Sequence, residues 1–146
     1  MVAMRLRVAA YAVVLDPEGR QLLSHWNEGG RSGWTLPGGG LEFGEHPTET
    51  VVREVREETG YAVEPGELLG IDTTVIPPER LVDPSGGAMQ ALRILYRAVV
   101  VGGTLTPEVD GSSDDAGWFT QAEIDALDRV ASVDTARRLA GLLPVP

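Results

Sequence analysis

A chain of 146 residues, 42% apolar and 23% charged, has the length and balance of one globular domain over 1–146 and lacks the composition of a disordered or membrane-spanning protein. Its formal net charge of −10, with no basic stripe, excludes a nucleic acid polymer as partner but leaves room for a small anion held through divalent cations. With no cysteine there is neither a disulfide framework nor a thiolate metal site, which suits a reducing, cytoplasmic setting.

The first residues imitate a signal peptide, two arginines before the apolar run 8–15. That run goes straight into the turn Asp16-Pro17-Glu18-Gly19, so a buried strand over 5–15 is predicted instead. The turn leads to 21–26 as the second strand of a hairpin, and residues 27–33 (NEGGRSG) read as a flexible loop. Trp34-Thr35-Leu36 is a short strand that Pro37 and three glycines end. Residues 47–59 predict a helix, with Pro47 at its first position, His46 at its start and Gly60 just past its end.

Strands are predicted over 68–76 and 92–101. Residues 77–91 between them form a loop long enough to be functional. An acidic loop over 106–115 precedes a short strand at Trp118-Phe119. Thr120-Gln121-Ala122-Glu123 is a capping box that opens a helix through Leu127, and a last amphipathic helix spans 133–140. The sum is a mixed α+β domain with five or six strands, one central helix and a helical C-terminal end.

The chemistry concentrates in residues 38–61, GGGLEFGEHPTETVVREVREETGY. On a helix, Glu54, Glu57 and Glu58 fall at i, i+3 and i+4, within about 100° of one another. Val51, Val52 and Val55, with Thr48 and Thr59, form the apolar stripe, so the carboxylates edge the packed face. Hard oxygen ligands gathered this way suit Mg²⁺ or Mn²⁺. Gly38 and Gly39 let the main chain bend and approach a ligand. Arg53 is placed to pair with Glu57 or, in the better orientation, with Glu49.

From Gly39 the spacing is Gly, five residues, Glu45, seven residues, then Arg53-Glu54-Val55-Arg56-Glu57-Glu58-Thr59-Gly60-Tyr61. This resembles the signature of the Nudix hydrolases, with every fixed position filled and Tyr61 as the one mild variation. The resemblance implies a Nudix fold, a mixed β-sheet sandwiched between α-helices, and Mg²⁺- or Mn²⁺-dependent hydrolysis of a diphosphate linkage in a small-molecule nucleotide. It implies Glu54, Glu57 and Glu58 as metal ligands, helped by a carbonyl at Gly38 or Gly39. Arg53 would act at the catalytic face, and Glu45 and Gly60 would support it. The base is left open between a box glutamate and Glu108, Asp110, Asp114 or Asp115.

Pro77 stands 16 positions past Tyr61, similar to the proline of ADP-ribose-cleaving members, which favours ADP-ribose or a nucleotide sugar. A nucleoside triphosphate is the alternative, and an inactive nucleotide-binding module a third reading. Trp34 reads as core, with base stacking as the alternative, and Asp114-Asp115 as a polar turn that could touch substrate. His25 reads as a strand residue. No membrane contact is expected, and a homodimer stays open.

Overall fold

The computed structural model describes residues 5–144. Arg5–Val14 forms β1, whose inner half is buried on both faces, the pattern of a central strand. Both of its edges are taken. The triple glycine Gly38–Gly40 (β4) pairs antiparallel on one side, and Met89–Gly103 (β6) pairs parallel on the other. The predicted hairpin between the first two strands therefore does not form. Gln21–Glu28 (β2) keeps one bridge to the end of that strand, Leu15 to Gln21. It joins Arg31–Thr35 (β3) and Ser113–Phe119 (β7) in a second sheet. Tyr61–Ile76 (β5) completes the first sheet in the order β4-β1-β6-β5, beside the second in the order β3-β2-β7. Among the described residues, seven strands in two sheets replace the five or six expected.

Residues 27–33 are not a flexible loop. Asn27 and Glu28 pair with Ser32 and Arg31, leaving Gly29-Gly30, at φ 62° and 78°, as a two-residue hairpin turn. Nor do the three glycines merely end a strand, since they are one.

The predicted helix is α1, Pro47–Thr59. His46 Nδ1 accepts the Thr48 N–H while the Glu49 carboxylate accepts the His46 N–H, and Gly60 closes the helix at φ 83°. α1 lays Val51 and Val55 on Ala10, Ala12 and Val14 of β1 and on Tyr96 and Ala98 of β6. Val52, expected in the apolar stripe, is 40% exposed; Thr59 is buried as expected, and Thr50 and Glu58 are buried with it. On the opposite side Ile124 of α2 (Gln121–Asp125), with Val133 and Ala136 of α3 (Ala131–Leu139), covers Val13, Leu23 and Leu95. The Thr120 capping box opens α2 as expected, but the helix stops short of Leu127.

The long loop after β5 is built from two 3₁₀ turns, Pro78–Arg80 and Pro84–Gly86. Arg5 donates to the carbonyls of Asp83 and Gly87, and Arg31 to those of Glu79 and Arg80, so the loop is tied to both sheets. No helix among the described residues is long and apolar enough to cross a membrane.

Candidate active site

Glu58 is the unusual residue of α1. It lies about 20° from Val51 around the helix axis, in the middle of the packed stripe. Its side of the helix is buried, leaving the residue 8% exposed. One oxygen, Oε2, accepts the Gly38 N–H at 3.1 Å and the Ser24 hydroxyl at 3.2 Å, and among the described residues none hydrogen-bonds Oε1. Burial pushes this carboxyl well above its ordinary range, with the charges of Glu54 and Glu108 adding, against the Gly38 and Ser24 bonds. Glu54 is also raised, first by burial and then by Glu57 and Glu108, with Arg53 opposing.

Arg53 is the hub of the rim. Its Nε and Nη2 fork onto Glu45 at 2.8 and 2.9 Å, Nη1 reaches Glu54 at 2.8 Å, and Nη2 also donates to the Gly40 carbonyl at 3.1 Å. Glu57 stands further off, at 3.5 Å. The expected pairing with Glu49 is absent because that carboxylate serves the helix cap. The Arg53 fork, with the Thr50 hydroxyl at 2.7 Å, holds the Glu45 carboxyl down to about 2. The sequence thus lies folded so that Arg53 and Glu45 fasten the loop before α1 to the helix and to β4.

The donor set fits a hard divalent cation. Three glutamate carboxylates line the helix beside a strand without side chains, and a Cβ on Gly39 would stand 2.7 Å from the Glu54 Cδ. Only glycine lets that carboxylate lie on the main chain. Among the described residues no three acidic or imidazole groups already converge as a cation cage. Arg53 lies between Glu54 and Glu57 and neutralises both, so a shared cation would compete with the guanidinium for their carboxylates. Glu58 presents Oε1 without moving.

Four later acids were candidates for a base. Glu108 is the one whose charge acts on both Glu54 and Glu58. Its Oε1 accepts the Ser113 N–H at 3.2 Å. Asp114 and Asp115 are strand residues of β7, not a turn. Asp114 is held by His25 at 2.6 Å and Asn27 at 2.9 Å, and Asp115 accepts the Ala116 N–H. Trp34 packs edge-on against Phe119 and His25, with ring centroids 4.8 and 5.1 Å away, and belongs to the core beneath α2 and α3. That contact gives the ring a packing role. Pro77 flanks the first 3₁₀ turn of the long loop. Ser24 was not singled out from sequence. A polar residue directly after Leu22-Leu23 in a strand run was the signal the sequence offered, and the structure leaves Ser24 only 1% exposed.

The family model described as NUDIX domain matches residues 5–138. A Caenorhabditis elegans relative is 32% identical over 80% of this chain and 30% of its own length. A Methanocaldococcus jannaschii protein named ADP-ribose pyrophosphatase is 37% identical over 67% of this chain and 50% of its own. The chain therefore spans half or less of these relatives. The solved structure of a NUDIX hydrolase from Nitrosomonas europaea superposes with TM-score 0.76 at 26% identity, covering 94% of this chain and 89% of that one.

Proposed function

Because the chain belongs to the NUDIX family, we propose that it hydrolyses the diphosphate linkage of a nucleoside diphosphate derivative with the help of divalent cations, Mg²⁺ or Mn²⁺. The observation that carries this reading is the buried Glu58, fixed by Ser24 and Gly38 with its second oxygen left for a ligand beside Glu54 and Glu57. Bound cations would neutralise phosphate oxygens and acidify a bound water. Glu54, Glu57 and Glu58 would hold such cations, with the bare backbone of Gly38 and Gly39 allowing close approach. Glu45 and Arg53 keep loop, helix and β4 in register.

A water oxygen attacks one phosphorus, the bridging P–O bond breaks, and its electron pair leaves with the second phosphate. The water's proton passes to a carboxylate. Glu108 is the first choice, because its charge bears on the box glutamates and Ser113 holds it in place. The substrate class put first is ADP-ribose or a nucleotide sugar, supported by Pro77 and by the name of the archaeal relative.

The test is a panel of nucleoside diphosphate derivatives and triphosphates assayed with Mg²⁺ and with EDTA. ADP-ribose is expected to give AMP and ribose 5-phosphate with a higher kcat/KM than any triphosphate, and EDTA to abolish turnover. Binding without hydrolysis, or undiminished turnover in EDTA, would overturn the reaction. A better kcat/KM for a triphosphate would overturn the substrate alone.

A further inference from the structure

The four-stranded sheet carries a group of arginines on the side away from α1. Ala10, Ala12 and Val14 of β1 face the helix, so by strand alternation Arg5, Arg7 and Tyr11 project to the other side. Arg93 of β6 joins them, because Ala9 is its neighbour in the parallel register and the Arg7 position is next along. Two of the three arginines on this side are tied to partners. Arg93 has Asp72 at 3.5 Å and Thr74 at 2.9 Å, and Arg5 is spent on the carbonyls of the long loop. Arg7 is the exception. Among the described residues its guanidinium makes one hydrogen bond, to the Tyr11 hydroxyl at 3.3 Å, and no ion pair.

Its place matters. Arg7 Nη2 lies 3.7 Å from where a Cβ of Gly40 would stand, while the Cβ position of Gly39 falls on the Glu54 carboxylate. Successive residues of a strand point to opposite faces, so Glu54 and Arg7 flank β4 from its two sides. β4 is the edge strand of its sheet and consists of three glycines, so no side chain of its own separates them. An anion laid over that bare edge can meet the acidic, cation-binding side with one phosphoryl group and a guanidinium with the next. A planar guanidinium fork matches two phosphate oxygens at once, which an ammonium cannot do.

We propose that Arg7, steadied by the Tyr11 hydroxyl, is a binding residue for the substrate phosphoryl group that lies across the glycine strand from Glu54. The assignment rests on the diphosphate-hydrolase reading above. Arg7 there sets affinity for the doubly charged linkage without taking part in bond breaking.

The experiment compares wild type with Arg7→Ala, Arg7→Lys and Tyr11→Phe in two formats. In calorimetry with Mg²⁺-loaded protein and inorganic pyrophosphate as probe, Arg7→Ala is expected to bind about tenfold more weakly, with Arg7→Lys recovering only part of the loss. Tyr11→Phe should lose a smaller factor, since the charge stays and only its orientation loosens. Mn²⁺ titrations without anion should coincide for all four proteins. In steady state the KM of Arg7→Ala should rise about tenfold with kcat within about threefold, the signature of lost binding that ground and transition states share. Unchanged pyrophosphate affinity in Arg7→Ala, or full affinity in Arg7→Lys, would overturn the assignment. So would a parallel loss of Mn²⁺ affinity, which would make Arg7 part of the metal scaffold. If wild type cleaves nothing on the panel yet pyrophosphate affinity still falls in Arg7→Ala, the hydrolase reading fails and the phosphate site stands.

Discussion

Gly39→Ala tests the site by moving one carboxylate without changing any charge. The added methyl would stand 2.7 Å from the Glu54 Cδ and 2.8 and 2.9 Å from its two oxygens. Ordinary carbon contacts lie at about 3.5–4.0 Å, so the carboxylate must retreat by roughly 1 Å. Glu54 is the far end of a flexible side chain, and φ at Gly39 is not in the left-handed region, so the fold itself is little disturbed. The retreat strains the 2.8 Å bond from Arg53 and shifts one of the proposed ligand oxygens. A displacement of about 1 Å at a reacting centre can cost on the order of a hundredfold in rate, which is about 2.7 kcal/mol of transition-state stabilisation. Gly66→Ala in β5 is the control, since its methyl would meet nothing nearer than the Arg97 carbonyl oxygen at 3.7 Å. The assay is kcat with saturating Mg²⁺, a Mn²⁺ binding isotherm and a thermal melt for each variant. Gly39→Ala should lose about two powers of ten in kcat and bind Mn²⁺ more weakly, with a melting temperature near wild type. Wild-type kcat and Mn²⁺ affinity in Gly39→Ala would refute the claim that Glu54 works from the place it occupies beside β4.

Three other outcomes follow from the same geometry. Glu58 has its carboxyl raised by burial first, so the folded apo protein holds a proton that the unfolded chain releases. Its stabilising share is complete below the ordinary carboxylate range and is lost as pH rises through the raised value, so in EDTA the melting advantage of Glu58→Gln over wild type should widen with pH. Added Mg²⁺ should shift wild type more than this variant, and equal shifts would deny Glu58 a ligand role. Glu45 runs the other way. Held down to about 2 first by Arg53, it stabilises above the ordinary range near 4.5 and loses that contribution as pH falls toward 2, so acid melts of wild type and Glu45→Gln should converge there. A constant gap between the two curves would contradict the Arg53 fork. Replacing residues 83–87 by a short glycine linker loosens the Pro84–Gly86 turn that presents the Asp83 and Gly87 carbonyls to Arg5, and should change KM or the substrate ranking. Unchanged kinetics across the panel would release this loop from any part in the site.

What the sequence by itself determined lies where the interactions are local. The bounds of α1, its Pro47 start and its Gly60 stop follow from φ preferences and unsatisfied backbone groups within one turn, and the structure places them where the residues say. The i, i+3, i+4 spacing likewise brings Glu54, Glu57 and Glu58 to one side of the helix before any packing is known. The tertiary structure alone decided what depends on partners far along the chain. The run at β1 does not announce that β4 and β6 take both its edges and send β2 to another sheet, because strand pairing is a contest between distant segments. The three glycines read equally well as a turn. The approach of Glu54 to within 2.7 Å of a Gly39 Cβ position, and of the Ala10 carbonyl oxygen and Tyr11 Cα to a Gly38 Cβ position, explains why those two positions of the strand carry no side chain. The differing fates of the three carboxylates were also invisible, since periodicity treats them alike. Glu57 reaches solvent while Ser24, 34 positions away, and Gly38 receive Glu58, and it is their desolvation and hydrogen bonding that separate one glutamate from the next.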